Sequence, residues 1–164
     1  MTTQRLGFRT WSPEDLPLAM ALWGNPQVTA FLGGPFDQLR IQARLDREIS
    51  CLGEHRMQYW PIFQLDGDVH VGCAGLRPYR IEDHILELGF HLRPEYWGHG
   101  LAEEAGRLAI EYGFENLGAS ALFAGHHPAN LASRQVLSKL GFRYTHDEIY
   151  PPTGELHPSY LLLA

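Results

Sequence analysis

The feature that most constrains this chain is a junction near its middle, Leu92-Arg93-Pro94-Glu95-Tyr96-Trp97-Gly98-His99-Gly100-Leu101-Ala102-Glu103-Glu104-Ala105. It follows an alternating run, Ile85 to Leu92, apolar at Leu86, Leu88, Phe90 and Leu92, which reads as a β-strand. It opens a segment, Gly100 to Leu117, with one apolar stripe at helical spacing: Leu101, Ala105, Leu108, Ala109 and Tyr112. A strand, a short loop with two glycines and a helix turn several backbone N–H groups toward one spot, with the positive end of the helix dipole behind them. Glycine lets the backbone curl and lets an anion approach with no β-carbon in the way. Such a junction is either a phosphate-type anion site or only a tight connection. Two familiar phosphate motifs are excluded. The third glycine of a GxGxxG fingerprint would fall on Glu103, and no GxxxxGKS/T occurs.

Around this junction the pattern alternates between strands and helices. Leu6 to Trp11 reads as a first strand, followed by Ser12-Pro13-Glu14-Asp15, an N-cap with proline at the first helical position. That helix carries Leu16, Ala19, Met20 and Trp23, and Gly24-Asn25-Pro26 stops it. After the loop Gly33-Gly34-Pro35, Asp37 caps a second helix bearing Leu39, Ala43, Leu45, Ile49 and Leu52. Tyr59 to Leu65 and Val69 to Leu76 form a hairpin across Asp66-Gly67-Asp68. Downstream, Ala121 to Ala124 is a short strand and Asn130 to Leu140 a helix ended by Gly141. Phe142 to Tyr150 and Ser159 to Leu163 close the chain as strands. The expectation is one α/β domain over residues 1–164, a mixed sheet of roughly six or seven strands flanked by about four helices.

Composition narrows the function classes. The 45% apolar content is enough for one packed core and excludes a disordered chain, and no apolar run is long enough to span a bilayer. Cys51 and Cys73 are too few for a disulfide framework, and Met1 to Arg5 has no apolar leader core, so a reducing cytoplasm is the expectation. Nineteen acidic against 13 basic residues give a net charge of −6, which argues against a nucleic-acid partner. Nine histidines raise the question of a metal, but only His126 and His127 are adjacent, and there is no HExxH motif and no cysteine pair at ligand spacing. No metal is expected.

Trp97-Gly98-His99-Gly100-Leu101-Ala102 resembles the acyl-CoA loop of the GNAT acetyltransferases, Gln/Arg-x-x-Gly-x-Gly/Ala, with Trp97 departing from the first position. The tryptophan within Pro94 to Gly100 is similar to the branch that acetylates the N-termini of ribosomal proteins. So is Asn130-Leu131-Ala132-Ser133 followed by Lys139-Leu140-Gly141-Phe142, and so is the opening around Arg5-Leu6 and Phe8-Arg9. The resemblance implies an enzyme that moves an acetyl group from acetyl-CoA to a primary amine, most simply a protein or peptide N-terminal α-amine, as a monomer or homodimer. The alternatives are a small-molecule amine of the aminoglycoside or polyamine type, and a catalytically silent acyl-CoA-binding module.

The resemblance also implies residue roles. Gly98, His99, Gly100, Leu101, Ala102 and Glu103 would offer backbone amides to the pyrophosphate of coenzyme A. Phe90, His91 and Leu92 would run along the pantetheine arm where two central strands splay, though a plain core strand explains the two apolar ones equally well. Asn130 would bind pantetheine or simply cap its helix, and Ser133 would lie near the sulfur. Glu87 shares a strand face with His91, opposite the apolar residues; it is either a general base or one half of a sheet-anchoring salt bridge. Leu137 stands where many family members place a tyrosine acid, leaving Ser133, Tyr144 or water to reprotonate the thiolate, unless it needs no help. The acceptor pocket is expected at the loops Gly24 to Asp37 and Tyr150 to His157.

Overall fold

A computed structural model describes residues 1–164. Seven strands form one sheet in the order β1-β2-β3-β4-β5-β7-β6. They are β1 (Leu6–Phe8), β2 (Tyr59–Gln64), β3 (His70–Arg80), β4 (Ile85–Leu92), β5 (Ala121–Gly125), β6 (Arg143–Tyr150) and β7 (Glu155–Leu163). All neighbours pair antiparallel except β4 and β5, which pair parallel. The helices are α1 (Leu16–Trp23), α2 (Pro26–Thr29), α3 (Gln38–His55), α4 (Leu101–Glu111) and α5 (Leu131–Lys139). None is long and apolar enough to cross a membrane.

Local chemistry sets the helix starts. Asp37 accepts from the Arg40 amide at 2.8 Å to open α3, and Asn130 accepts from the Ser133 amide at 3.0 Å to open α5. Ser12 and Asp15 form a reciprocal capping box ahead of α1, and Asp15 is further held by Arg9 at 2.6 Å. Gly24-Asn25-Pro26 ends α1 as expected but at once begins α2: Asn25 accepts from the Gln27 amide, and Pro26 takes a first-turn position that lacks no bond.

Strand alternation sorts the core into two layers. Leu86, Leu88 and Leu92 of β4 join Ala74 and Leu76 of β3 against Leu101, Ala105 and Ala109 of α4 and Leu137 of α5. On the other face Tyr59 and Cys73 pack with Trp23 and Leu22 of α1 and Ile41 and Leu45 of α3. The even-numbered residues of β4 therefore look toward α4, and the odd-numbered ones, Glu87, Gly89 and His91, toward α1 and α3.

Three strands differ by more than one residue in length from the sequence expectation. β1 ends at Phe8 rather than Trp11: the Arg9 amide reaches the Pro61 carbonyl at 3.4 Å, but Pro61 has no N–H to return. β3 continues through Pro78 to Arg80, and β7 begins at Glu155, ahead of Pro158. Both prolines sit where the strand has overrun one of its neighbours, since β2 pairs with β3 only up to Gly75 and β5 with β7 only from Ser159. The missing donor then faces the open side.

Candidate functional site

The parallel pairing of β4 with β5 lasts only from Ile85 to Glu87, opposite Ala121 to Phe123. Beyond Glu87 the strands part. β4 runs on to Leu92 and β5 turns its remaining residues to β7 alone. The gap opens a cleft of about 530 Å³ whose walls include Glu87, Phe90, His91, Leu92, Asn130 and Ser133.

On the α4 side lies the glycine loop. Gly98 and Gly100 have φ of +79° and +75°, the left-handed region that side-chain-bearing residues avoid. A β-carbon at Gly98 would meet no atom within 4 Å, so conformation rather than crowding requires glycine there. The first α4 amide with a backbone partner is that of Glu104, on the Gly100 carbonyl at 3.1 Å, and no side chain caps the helix. The amides of Leu101, Ala102 and Glu103 are thus free at the cleft, at the positive end of the helix. The Glu103 carboxylate turns back to Arg107 at 2.7 Å and Lys139 at 3.6 Å. His99 is the one residue of the expected set that does not line the cleft; its carbonyl accepts from Arg5 at 3.0 Å. Trp97 does line it and donates its indole N–H to the Leu92 carbonyl at 2.7 Å.

The opposite wall is charged. Glu87 pairs in register with Arg77 of β3, yet Arg77 gives its ion pair to Glu48, which is fully buried on α3 and also accepts from the Tyr59 amide at 2.8 Å. The sheet-anchoring salt bridge considered for Glu87 is therefore made by another carboxylate, and Glu87 forms no ion pair. The Arg77 guanidinium lies over the Tyr59 ring at 4.1 Å. Burial first, and the Glu87 charge next, push the Tyr59 phenol well above its usual range. His91 is held neutral by burial and by Arg44 and Arg77, and its Nδ1 accepts from the Trp23 indole at 3.3 Å, which places its proton on Nε2. Beside it, burial drives the Cys73 thiol up to about 12, so it is no nucleophile at neutral pH.

At the start of α5, Asn130 spends its side-chain oxygen on the helix cap, and Ser133 faces the cleft with its hydroxyl unbonded to protein. Leu137 is buried in the core. Tyr144 is 57% exposed and outside the cleft, which removes it from the candidate acids. The two segments expected to line an acceptor pocket do reach the cleft, through Gln27, Val28, Phe31, Leu32, Tyr150 and His157. No three His, Cys, Asp or Glu side chains come together as a metal-holding group.

Sequence reasoning missed Arg44, Tyr59 and Arg77, all on the cleft wall. One signal was present. Arg44 and Glu48 fall at i+3 and i+7 from Ile41, in the apolar stripe of α3, where a charged side chain demands a partner or a use.

Known proteins agree with this architecture. A family model described as the acetyltransferase (GNAT) domain matches residues 5–143. The uncharacterized N-acetyltransferase p20 of Bacillus licheniformis is 29% identical over 145 residues, 86% of this chain and 80% of that protein. Among solved structures, an acetyltransferase of Agrobacterium tumefaciens superimposes with a TM-score of 0.86 at 21% identity, covering 100% of this chain and 94% of the other. The ribosomal L7/L12 α-N-protein acetyltransferase RimL, solved in complex with coenzyme A, gives a TM-score of 0.84 at 13% identity, covering 99% and 96%. With the family model spanning most of its length and the splayed sheet beneath, the chain belongs to the GNAT family and is an acetyl-CoA-dependent acetyltransferase.

Proposed function

We propose that the protein acetylates the α-amine at a peptide or protein N-terminus, with Glu87 relaying the amine's proton. The observation that carries this reading is the position of Glu87: a carboxylate with no ion pair on the cleft wall, at the last residue before β4 and β5 part.

The cleft fits acetyl-CoA. The free amides of Leu101, Ala102 and Glu103, with the left-handed turns at Gly98 and Gly100, suit a pyrophosphate. His99 does not line the cleft, and its carbonyl is occupied by Arg5. Phe90, His91 and Leu92 offer a strand edge left without a partner on the β5 side, suited to the amide groups of the pantetheine arm and to holding the acyl oxygen by an N–H. Asn130 and Ser133 border the same channel, and the free Ser133 hydroxyl would donate toward the sulfur.

The bound thioester supplies an activated acyl group: the amide C–N bond forms, the C–S bond breaks, and the sulfur leaves with the bonding electrons. Holding a neutral amine in place is the work left to the protein. An ε-amine of pKa about 10.4 would need about 4–5 kcal/mol to deprotonate at neutral pH, an α-amine near 7.8 only about 1 kcal/mol. With Leu137 in place of a tyrosine acid, a site with one carboxylate suits the less basic amine. RimL, a ribosomal L7/L12 α-N-protein acetyltransferase of the same fold, supports the same choice.

Thiol release from acetyl-CoA with a panel of peptides, lysine side-chain analogues and polyamines, read by mass spectrometry, tests it. Within this panel, acetylation of the peptide α-amines and not of the lysine side-chain analogues or polyamines is expected. Coenzyme A binding with no amine acetylated, or a preference for ε-amines, overturns it.

A further inference from the structure

Arg44 stands on the buried stripe of α3, one turn from both Ile41 and Glu48, and reaches the cleft wall. Its Nε is buried with no hydrogen-bond partner. The guanidinium stacks over Trp23, 4.8 Å from the ring centre, and makes no ion pair. The titratable groups that act on it include the Cys73 thiol, the Tyr59 and Tyr150 phenols and Arg47. Arg77, the second guanidinium of this wall, has Glu48 as its ion-pair partner, whereas Arg44 has no carboxylate within ion-pair distance.

A guanidinium keeps its charge at any pH at which a protein stays folded, and burying even part of one without a partner is unfavourable. Its planar fork of donors matches a carboxylate. The anion it awaits is not a phosphate of coenzyme A. α3 packs on the sheet face opposite α4, whereas the free amides lie at the start of α4. Arg44 shares its face with Glu87 and His91, the side left for the acceptor. A polyamine or aminoglycoside would bring more positive charge against this wall.

We propose that Arg44 determines acceptor specificity by binding a carboxylate that the acceptor carries beside its α-amine. This rests on the acetyl-transfer reading. The carboxylate has two possible sources, the main-chain carboxylate of a free amino acid or the side chain of an acidic N-terminal residue. Arg44 handles no proton; that still leaves the amine by way of Glu87.

Matched acceptor pairs separate the sources: free amino acids against their amides, and peptide amides beginning with aspartate against those beginning with asparagine. In one pair the carboxylate member is expected to show a KM lower by about tenfold or more, the scale of a charged hydrogen bond. Arg44→Gln is expected to erase that difference, and Arg44→Lys to restore part of it, both variants keeping wild-type affinity for coenzyme A as evidence of folding. Equal KM values within both pairs, or a preference that survives Arg44→Gln, overturn the proposal. Calorimetry with N-acetylaspartate and the coenzyme-A-loaded protein reads the anion site without turnover. Binding that Arg44→Gln abolishes supports the Arg44 site even if no amine is acetylated, an outcome that would sink only the transfer reading. Equal binding to wild type and Arg44→Gln counts against the Arg44 site itself.

Discussion

The Tyr59 hydroxyl lies directly over Gly89, so close that a β-carbon at that position would sit 2.2 Å from the oxygen. Tyr59 is 2% exposed, with the Arg77 guanidinium over its ring and its amide held by Glu48. Gly89→Ala is therefore expected to destabilise the fold by about 1–3 kcal/mol through overpacking. It should also slow turnover, because the phenol neighbours Glu87. Urea unfolding beside steady-state kinetics checks both effects.

Glu87→Gln keeps the size of the side chain and removes the proton acceptor. kcat is expected to fall by about 100-fold or more, the contribution typical of a positioned general base, while KM for acetyl-CoA stays within about twofold. The loss should shrink with acceptors of lower amine pKa. A rate unchanged across the acceptor series would remove Glu87 from the chemistry.

The Glu48–Arg77 pair is buried, and breaking one side leaves the other charge stranded. Glu48→Gln is expected to cost about 3–5 kcal/mol of stability, more than replacement of both partners together by apolar residues. A double-mutant cycle in chemical denaturation measures the difference.

His70 is packed against Phe63 and Trp11, at ring separations of 5.3 and 5.9 Å. Burial, then the Arg93 charge, lowers its imidazole from 6.5 to about 4. Between those values the unfolded chain binds more protons than the folded one, so stability rises with pH. The contribution is complete above about pH 6.5 and is lost as pH falls toward 4, amounting to about 3 kcal/mol. His70→Leu should flatten that part of the stability profile between pH 4 and 7.

Where one residue pattern spoke for both local and tertiary structure, the sequence was readable. The period-two run of β4 gave Ile85–Leu92 with both its boundaries and its two faces, and Asp37 and Asn130 announced their helices by the caps they form. The expected strands Val69 to Leu76 and Ser159 to Leu163 stop short of Pro78 and Pro158, which lie in strand overhangs, and Gly24-Asn25-Pro26 reads as a stop although Pro26 starts α2. The glycine loop was legible because conformation alone demands Gly98 and Gly100. Arg44, Arg77 and Tyr59 come from α3, β3 and β2, and only the stacking of α3 on the sheet brings them to one wall. No spacing along the chain encodes such a meeting.

The short β4–β5 ladder also has a mechanical consequence. Strands β1 to β4 and β5 to β7 share only three ladder pairs, Ile85–Ala121, Leu86–Leu122 and Glu87–Phe123, and otherwise meet through side chains of the core beneath α4 and α5. A change in the width of the cleft would bend the sheet about that ladder, much as a book opens along its spine. Glu87, inside the ladder, would then be displaced less than Leu92 at the far end of β4.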